Sequence, residues 1–230
     1  MKKIKIWGVV LLALTLTTLN AQTKRYEVKS GIVEYKISQS GNMMGVKIQG
    51  NGTAKTVFKE WGDTELHSEE SRTITMGTTE HTKQMMKIEN GKVYHVDFDQ
   101  KVIYEQSIQD VMHSEDKELV MSGKEMLTSM GGKKIGEEKF MGYACEIWEM
   151  MQVKVWIHKG IMLKSEADIM GIKNTTVATK IELDVSVSDA LLQLPDYPIK
   201  KGAKQNNMMP EMTPEQMQQM QEMMKNFTKK

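Results

Sequence analysis

The chain has 230 residues, with 31 basic and 30 acidic side chains, 40% apolar content, one cysteine and 22 methionines. A single cysteine excludes a disulfide scaffold and a zinc ribbon, and the composition excludes a collagen-like fibre and a polytopic membrane protein. What remains is one domain with a true core plus an appendage, and an excess of methionine, which is not normally a common residue.

The N-terminus has the layout of a secretory signal peptide. Lys2, Lys3 and Lys5 precede an apolar stretch from Ile6 to Leu19, and Leu19-Asn20-Ala21 ends on a small residue. This predicts cleavage after residue 21 and a location in the periplasm or otherwise outside the cytoplasm. The stretch is too short and too threonine-rich to be a good membrane span. Removing residues 1–21 takes the formal charge from +1 to −2, and residues 22–199 alone carry −5. A mildly acidic body argues against nucleic acid as a partner.

Residues 22–199 read as a mainly β domain. Gly31 to Ser38 alternates, with Ile32, Glu34 and Lys36 set against Val33, Tyr35 and Ile37. Met44 to Gln49 alternates again, and Asn51-Gly52 is expected to turn. Lys55 to Trp61 and residues 64–75 are the next strands. Gln84 to Glu89, Val93 to Phe98 and Val102 to Tyr104 make a three-stranded meander, with a hairpin at Asn90-Gly91 and a turn at Asp99-Gln100. From Ser114 to Met130 the period changes. Leu119, Val120, Met126, Leu127 and Met130 fall at roughly helical spacing. Ser114 is a candidate cap and Gly131-Gly132 a stop, so one helix of about 15 residues is predicted. Strands resume at Tyr143–Met150, Val153–His158, Met162–Met170 and Asn174–Val185, with Lys159-Gly160 turning between the second and third. Ser188 to Leu192 reads as a short helical turn, and Pro195 ends the regular structure. Cys145 lies within a strand and reads as a buried small hydrophobe. About ten strands with one helix predict a curved antiparallel sheet, an incomplete, half-open β-barrel covered by a central helix.

Three stretches in order resemble the lipoprotein-carrier-like (LolA-like) superfamily of Gram-negative envelopes. They are Gly31-x-x-x-Tyr35, the run IENGKVYHVDFDQKVIYE (88–105) with Asn90-Gly91-Lys92-x-Tyr94-x-x-Asp97, and VKVWIHKGIMLKSE (153–166) with Trp156-x-x-x-Gly160-Ile161-x-Leu163-Lys164. Leu194-Pro195 follows, and the set spans most of residues 31–195. The resemblance implies a half-open barrel closed on one side by helices, with an apolar concave cavity for acyl chains. The arginine that family carriers place near the lid finds no match, since the only arginines, Arg25 and Arg72, fall outside these stretches.

The physics of an incomplete barrel leads to the same ligand class. Barrels that are not filled by their own side chains enclose ligands, and the adaptable methionine thioether suits such a lining. Met44, Val57, Met85, Tyr94, Trp148, Trp156 and Met162 are the candidate ligand-binding residues, for a lipid or an acyl chain.

Residues 200–230 form a separate linker and tail. Thr213-Pro214-Glu215-Gln216 is a capping box with proline at the first helical position. Met217, Met220, Met223, Met224 and Phe227 then share one face of a predicted amphipathic helix. That face is expected to close the barrel mouth as a lid or to meet an envelope protein or a membrane. Alternatively Met217, Met220 and Met224 hold Cu(I) or Ag(I), for which thioethers are suitable soft ligands. The five histidines are scattered without metal spacing, and no nucleophile elbow or phosphate loop is present. The expectation is therefore an exported binding protein with no cofactor and no catalysis. The alternatives are a metal-handling protein or an envelope interaction module without a small ligand.

Overall fold

The computed structural model describes residues 24–43, 45–114, 120–121 and 123–202. The expectations for the signal segment, for Met44 and for the tail with Met217, Met220 and Met224 fall outside them. In chain order the elements are β1 (Gly31–Met43), β2 (Val46–Lys59), β3 (Thr64–Thr75), β4 (Thr78–Glu89), β5 (Lys92–Asp97) and β6 (Val102–Ser107). Two short helices follow, α1 (Ile108–Met112) and α2 (Gly123–Ser129). Then come β7 (Lys133–Phe140), β8 (Tyr143–Met150), β9 (Val153–His158), β10 (Ile161–Ile169), β11 (Ile172–Leu183) and β12 (Ile199–Lys201). Single 3₁₀ turns lie at Glu60–Gly62 and Asp189–Leu192.

All these strands join one open, curved sheet in the order β12-β6-β5-β4-β3-β2-β1-β11-β10-β9-β8-β7. Every pairing is antiparallel except that of β12 with β6. The meander of β4, β5 and β6 is as expected, and both Asn90 and Gly91 have the positive φ (53° and 71°) of a type I′ turn. The sequence misplaces one turn. Asn51-Gly52 lies inside β2, where a Cβ on Gly52 would sit 2.6 Å from the Glu70 carbonyl oxygen. That glycine serves close approach of β3 and not chain reversal. Two strands had no forecast. β7 is an edge strand, mostly exposed, and β12 lies beyond Pro195. Of the 15-residue helix predicted between Ser114 and Met130, the described residues show only the seven of α2, and the five-residue α1 lies before that span, where no helix was expected. The observed cap is Ser107, whose Oγ accepts from the Asp110 amide, while Ser114 follows α1 and donates to the Val111 carbonyl.

The curvature has a visible cause at one end of the sheet. Tyr26 donates its amide to the Trp61 carbonyl, and the next amide, that of Glu27, donates to the Lys159 carbonyl. Trp61 turns β2 into β3, and Lys159 turns β9 into β10. In a flat sheet, strands β2 and β10 would stand three spacings apart, roughly 14 Å. Two consecutive amides in an extended chain point opposite ways and reach less far than that, so residues 24–30 act as a strap that draws this end inward. Tyr35 adds to the inward pull by donating its hydroxyl to the Met162 carbonyl on β10.

Among the described residues, the opposite end carries no such strap. Its projecting hairpins are Met76-Gly77 (β3–β4), Met151-Gln152 (β8–β9) and Met170-Gly171 (β10–β11), the β1–β2 connection is Met44-Gly45 in sequence, and the β5–β6 turn at residues 98–101 is set back along β4. Met76, Met151 and Met170 are 80%, 87% and 66% exposed. Methionines expected to line a concave pocket therefore stand in solvent at hairpin tips.

Candidate functional site

Residues directly opposite in an antiparallel pair share a face, so the register traces one face across the sheet. From Phe58 it passes through Glu65 and Ile88 to Val93. In the other direction it passes from Ile37 through Thr176 and Ser165 to Val155. Both helices cover this face. Val111 of α1 and Val120 pack on Ile88 and Val93, with Met86 and Ile108 beside them. Leu127 of α2 packs on Val155 and Ile157, flanked by Met126, Trp148, Met150 and Val153. Between the two patches lies the main core, with Val28, Val33, Tyr35, Phe58 and Leu163.

Charged groups are buried beneath the strap. The Arg25 guanidinium lies 3.0 Å from the Glu65 carboxylate, with both side chains buried. The Tyr26 hydroxyl donates to the same carboxylate at 2.7 Å, and its ring packs on Phe58. Burial and the Glu65 charge hold the Tyr26 hydroxyl well above its ordinary pKa. Burial alone would lower the Arg25 pKa, but Glu65 and Tyr26 more than offset this and keep the guanidinium charged. Thr56 Oγ1 and His67 Nδ1 lie 3.0 Å apart on the same face. The Arg25 Nε has no hydrogen-bond partner.

The α2 cover is held at its rim by Lys124, which pairs with Glu146 at 3.0 Å and with Glu27 at 3.4 Å. Burial pushes the Glu146 carboxyl up. Lys124, Trp148 and Lys134 outweigh that effect and hold it below the usual carboxylate range.

The candidate ligand-binding residues do not converge on one cavity. Val57 and Met85 come together on the opposite face, where Val187, Leu192 and Leu194 of the stretch after β11 cover them. Trp148 lies beside α2 and donates its indole N–H to Glu146. Trp156 is a core residue whose indole donates to Glu138 and whose ring carries the Lys164 ammonium at 4.1 Å. Tyr94 stands on β5 between Lys87 and Glu105, and the Met162 side chain is partly exposed. Met44 lies outside the described residues. The sequence reading passed over the strap residues, Arg25 and Tyr26, and took the hairpin-tip methionines for pocket lining. The signal for the second was the repeated Met-Gly dipeptide, at residues 44–45, 76–77, 130–131, 141–142 and 170–171.

Among the described residues two open recesses of about 430 Å³ each stand out. One is lined by Glu34, Lys55, Glu69, Glu70 and Lys83 with Met85. The other lies between two hairpin tips, at Val46, Lys47, Ile74 and Met76. No set of three or more His, Cys, Asp or Glu side chains among the described residues is placed to hold a metal ion. No helix among them is long and apolar enough to cross a membrane.

No protein-family model matches the chain, and no curated protein matches it in sequence. Its fold is similar to those of several solved structures. An uncharacterized conserved protein from Thermus thermophilus matches at 7% identity and a TM-score of 0.40, over 74% of this chain and 90% of that one. LprF from Mycobacterium bovis matches at 8% identity and 0.34, over 74% and 91%. A LolA superfamily protein from Nitrosomonas europaea matches at 8% identity and 0.33, over 74% and 93%. The likeness to each is one of overall fold alone.

Proposed function

We propose that the chain is an exported, non-catalytic binding protein that takes an acyl chain or lipid tail onto the face beneath α1 and α2. The observation that carries this is the character of the cover. Two apolar patches on one face are hidden by helices of only 5 and 7 residues. Helices this short have no stability of their own, so they stay in place only through what they bury. Their buried anchors are Val111, Val120 and Leu127. Each contributes about 1.5–3 kcal/mol, against an ordering cost of roughly 1–2 kcal/mol for every residue of the cover. A lipid tail gains about 0.8 kcal/mol per buried CH₂, enough to exchange for such a cover. The ordered motifs shared with lipoprotein-carrier-like proteins point to the same ligand class. The recess at Glu34, Lys55, Glu69, Glu70 and Lys83 does not compete for this role, because charged side chains line it, and the one at Val46, Ile74 and Met76 lies at hairpin tips away from the cover.

Native mass spectrometry of the purified protein tests the proposal. A bound species of lipid mass is expected, and Trp148 fluorescence should change when the lipid is stripped. A ligand-free mass, together with no uptake of a fluorescent fatty acid by the stripped protein, would overturn it.

A further inference from the structure

We propose that the strapless end of the sheet is a docking edge for a lipid surface, its methionine tips entering the interfacial layer of a bilayer. Residues 74–78, 150–153 and 169–172 contain no charged side chain, in a chain that is 27% charged. Each stretch instead presents a highly exposed methionine, and Ile169 beside Met170 is exposed as well.

The backbone at these methionines makes the choice of residue informative. Met76, Met151 and Met170 have φ of 53°, 52° and 55°. A side chain in this left-handed region costs roughly 1–2 kcal/mol, and asparagine is among the few residues that enter it readily. Methionine is thus a poor choice for the turn and, being solvated, adds little to the core. A function outside the fold accounts for it.

The register brings the Met76 and Met170 tips to one level. Gly41 of β1 pairs with Ile172, so the Met170 tip ends opposite Asn42 and Met43. Ile48 of β2 pairs with Thr75, so the Met76 tip ends opposite Lys47 and Val46, the partners of those same two residues. Val153 pairs with Ala167, whereas the Met170 hairpin closes at Ile169 with Ile172, which sets the Met151 tip two residues lower, roughly 7 Å. The tips form a row of separate apolar prongs. A protein partner needs a contiguous complementary face, whereas a bilayer interface accepts prongs one by one. Just behind them stand Lys47, Lys154 and Lys173, one on each of three hairpins. Glu149 pairs with Lys154 at 3.7 Å, and Asp168 lies opposite Lys173. The collar is therefore not net anionic, and it suits phosphate headgroups. The recess between Val46, Ile74 and Met76 leaves room for lipid between two tips.

Vesicles of phosphatidylethanolamine and phosphatidylglycerol, sedimented with the full chain, test the proposal. The triple variant M76N/M151N/M170N keeps turn-compatible residues, and is expected to partition about tenfold more weakly or worse, with an unlowered melting temperature. It should still take up a fluorescent fatty acid, which separates this edge from the covered face. Peroxide oxidation followed by peptide mass spectrometry gives a second readout that needs no variant. Vesicles should protect Met76, Met151 and Met170 but not Met141, which lies at the strap end. Absent wild-type partition, partition equal in wild type and variant, or equal oxidation with and without vesicles would each overturn the proposal. So would a wild-type dimer that the variant abolishes while vesicle binding persists.

Discussion

The two ends of the sheet are built from different materials. The strap end has charged turns, with Glu60, Asp63, Lys92, Lys159 and Asp184 in or beside them, and an ion pair buried beneath residues 24–30. At the far end the projecting turns at Met76, Met151 and Met170 are uncharged, with methionine at positive φ, while the β5–β6 turn with Asp99 and Lys101 is set back along β4. One end uses polar groups internally, to hold a shape that strand pairing alone would leave flatter. The other spends stability on side chains that stand largely in solvent. Shape is set at the first end and contact with the surroundings is offered at the second.

The largest expected effect is at the strap. Arg25→Ala leaves the Glu65 carboxylate buried without its cation, so a loss of about 3–5 kcal/mol is expected in urea unfolding. Amide exchange should rise first around Trp61 and Lys159. A loss below 1 kcal/mol would mean that the curvature does not depend on the strap. At the far end, Gly41→Ala should cost roughly 1–3 kcal/mol, because the new Cβ would lie 2.3 Å from the Gly171 carbonyl oxygen. This would show that the far end is close-packed up to its tips, and that only the tips are free.

The cover should respond to acid. The Glu146 carboxyl is held below its ordinary range in the folded protein. Its contribution is therefore present above the ordinary carboxylate pKa and is lost as pH falls through the lowered one. Amide exchange in α2 should accelerate there, ahead of exchange in β1 and β2. An α2 as protected as the central strands at every pH would count against a loosely held cover. The smallest effects concern the tips. Met76→Asn, Met151→Asn and Met170→Asn should each raise stability by a few tenths to about 1 kcal/mol in thermal melts. Cys145, buried with its thiol pushed up by burial, should resist alkylation until the protein unfolds.

Strands that alternate and end in a strong turn were legible from the residues. Tyr143–Met150 and Val153–His158 have the predicted bounds because local signals set both ends. Where a neighbour decided the outcome, the residues misled. Gly52 resembles a turn until β3 is known to pass beside it. β7 buries too little to show an apolar alternation, and β12 exists through its pairing with β6. The candidate site suffered most. Val57, Met85, Trp148 and Trp156 are large apolar residues on strands, as a lining requires. Which face each occupies depends on register and on the bulges near Glu34 and Leu163, which no single strand reveals.

The strand order also bears on how the chain reaches this shape. From β6 back to β1, and from β7 on to β11, every neighbour in the sheet is a neighbour in sequence. Each wing can zip from its own hairpins on the microsecond timescale. The antiparallel join between them is the seam of β1 with β11, which brings Gly31 opposite Leu183. Closing so long a loop is slow for topological reasons, though its entropic cost grows only logarithmically with length. The seam is thus where folding waits, and until it forms the two wings present bare strand edges to any other chain nearby. The interval before β1 meets β11 is therefore the period of greatest risk of aggregation.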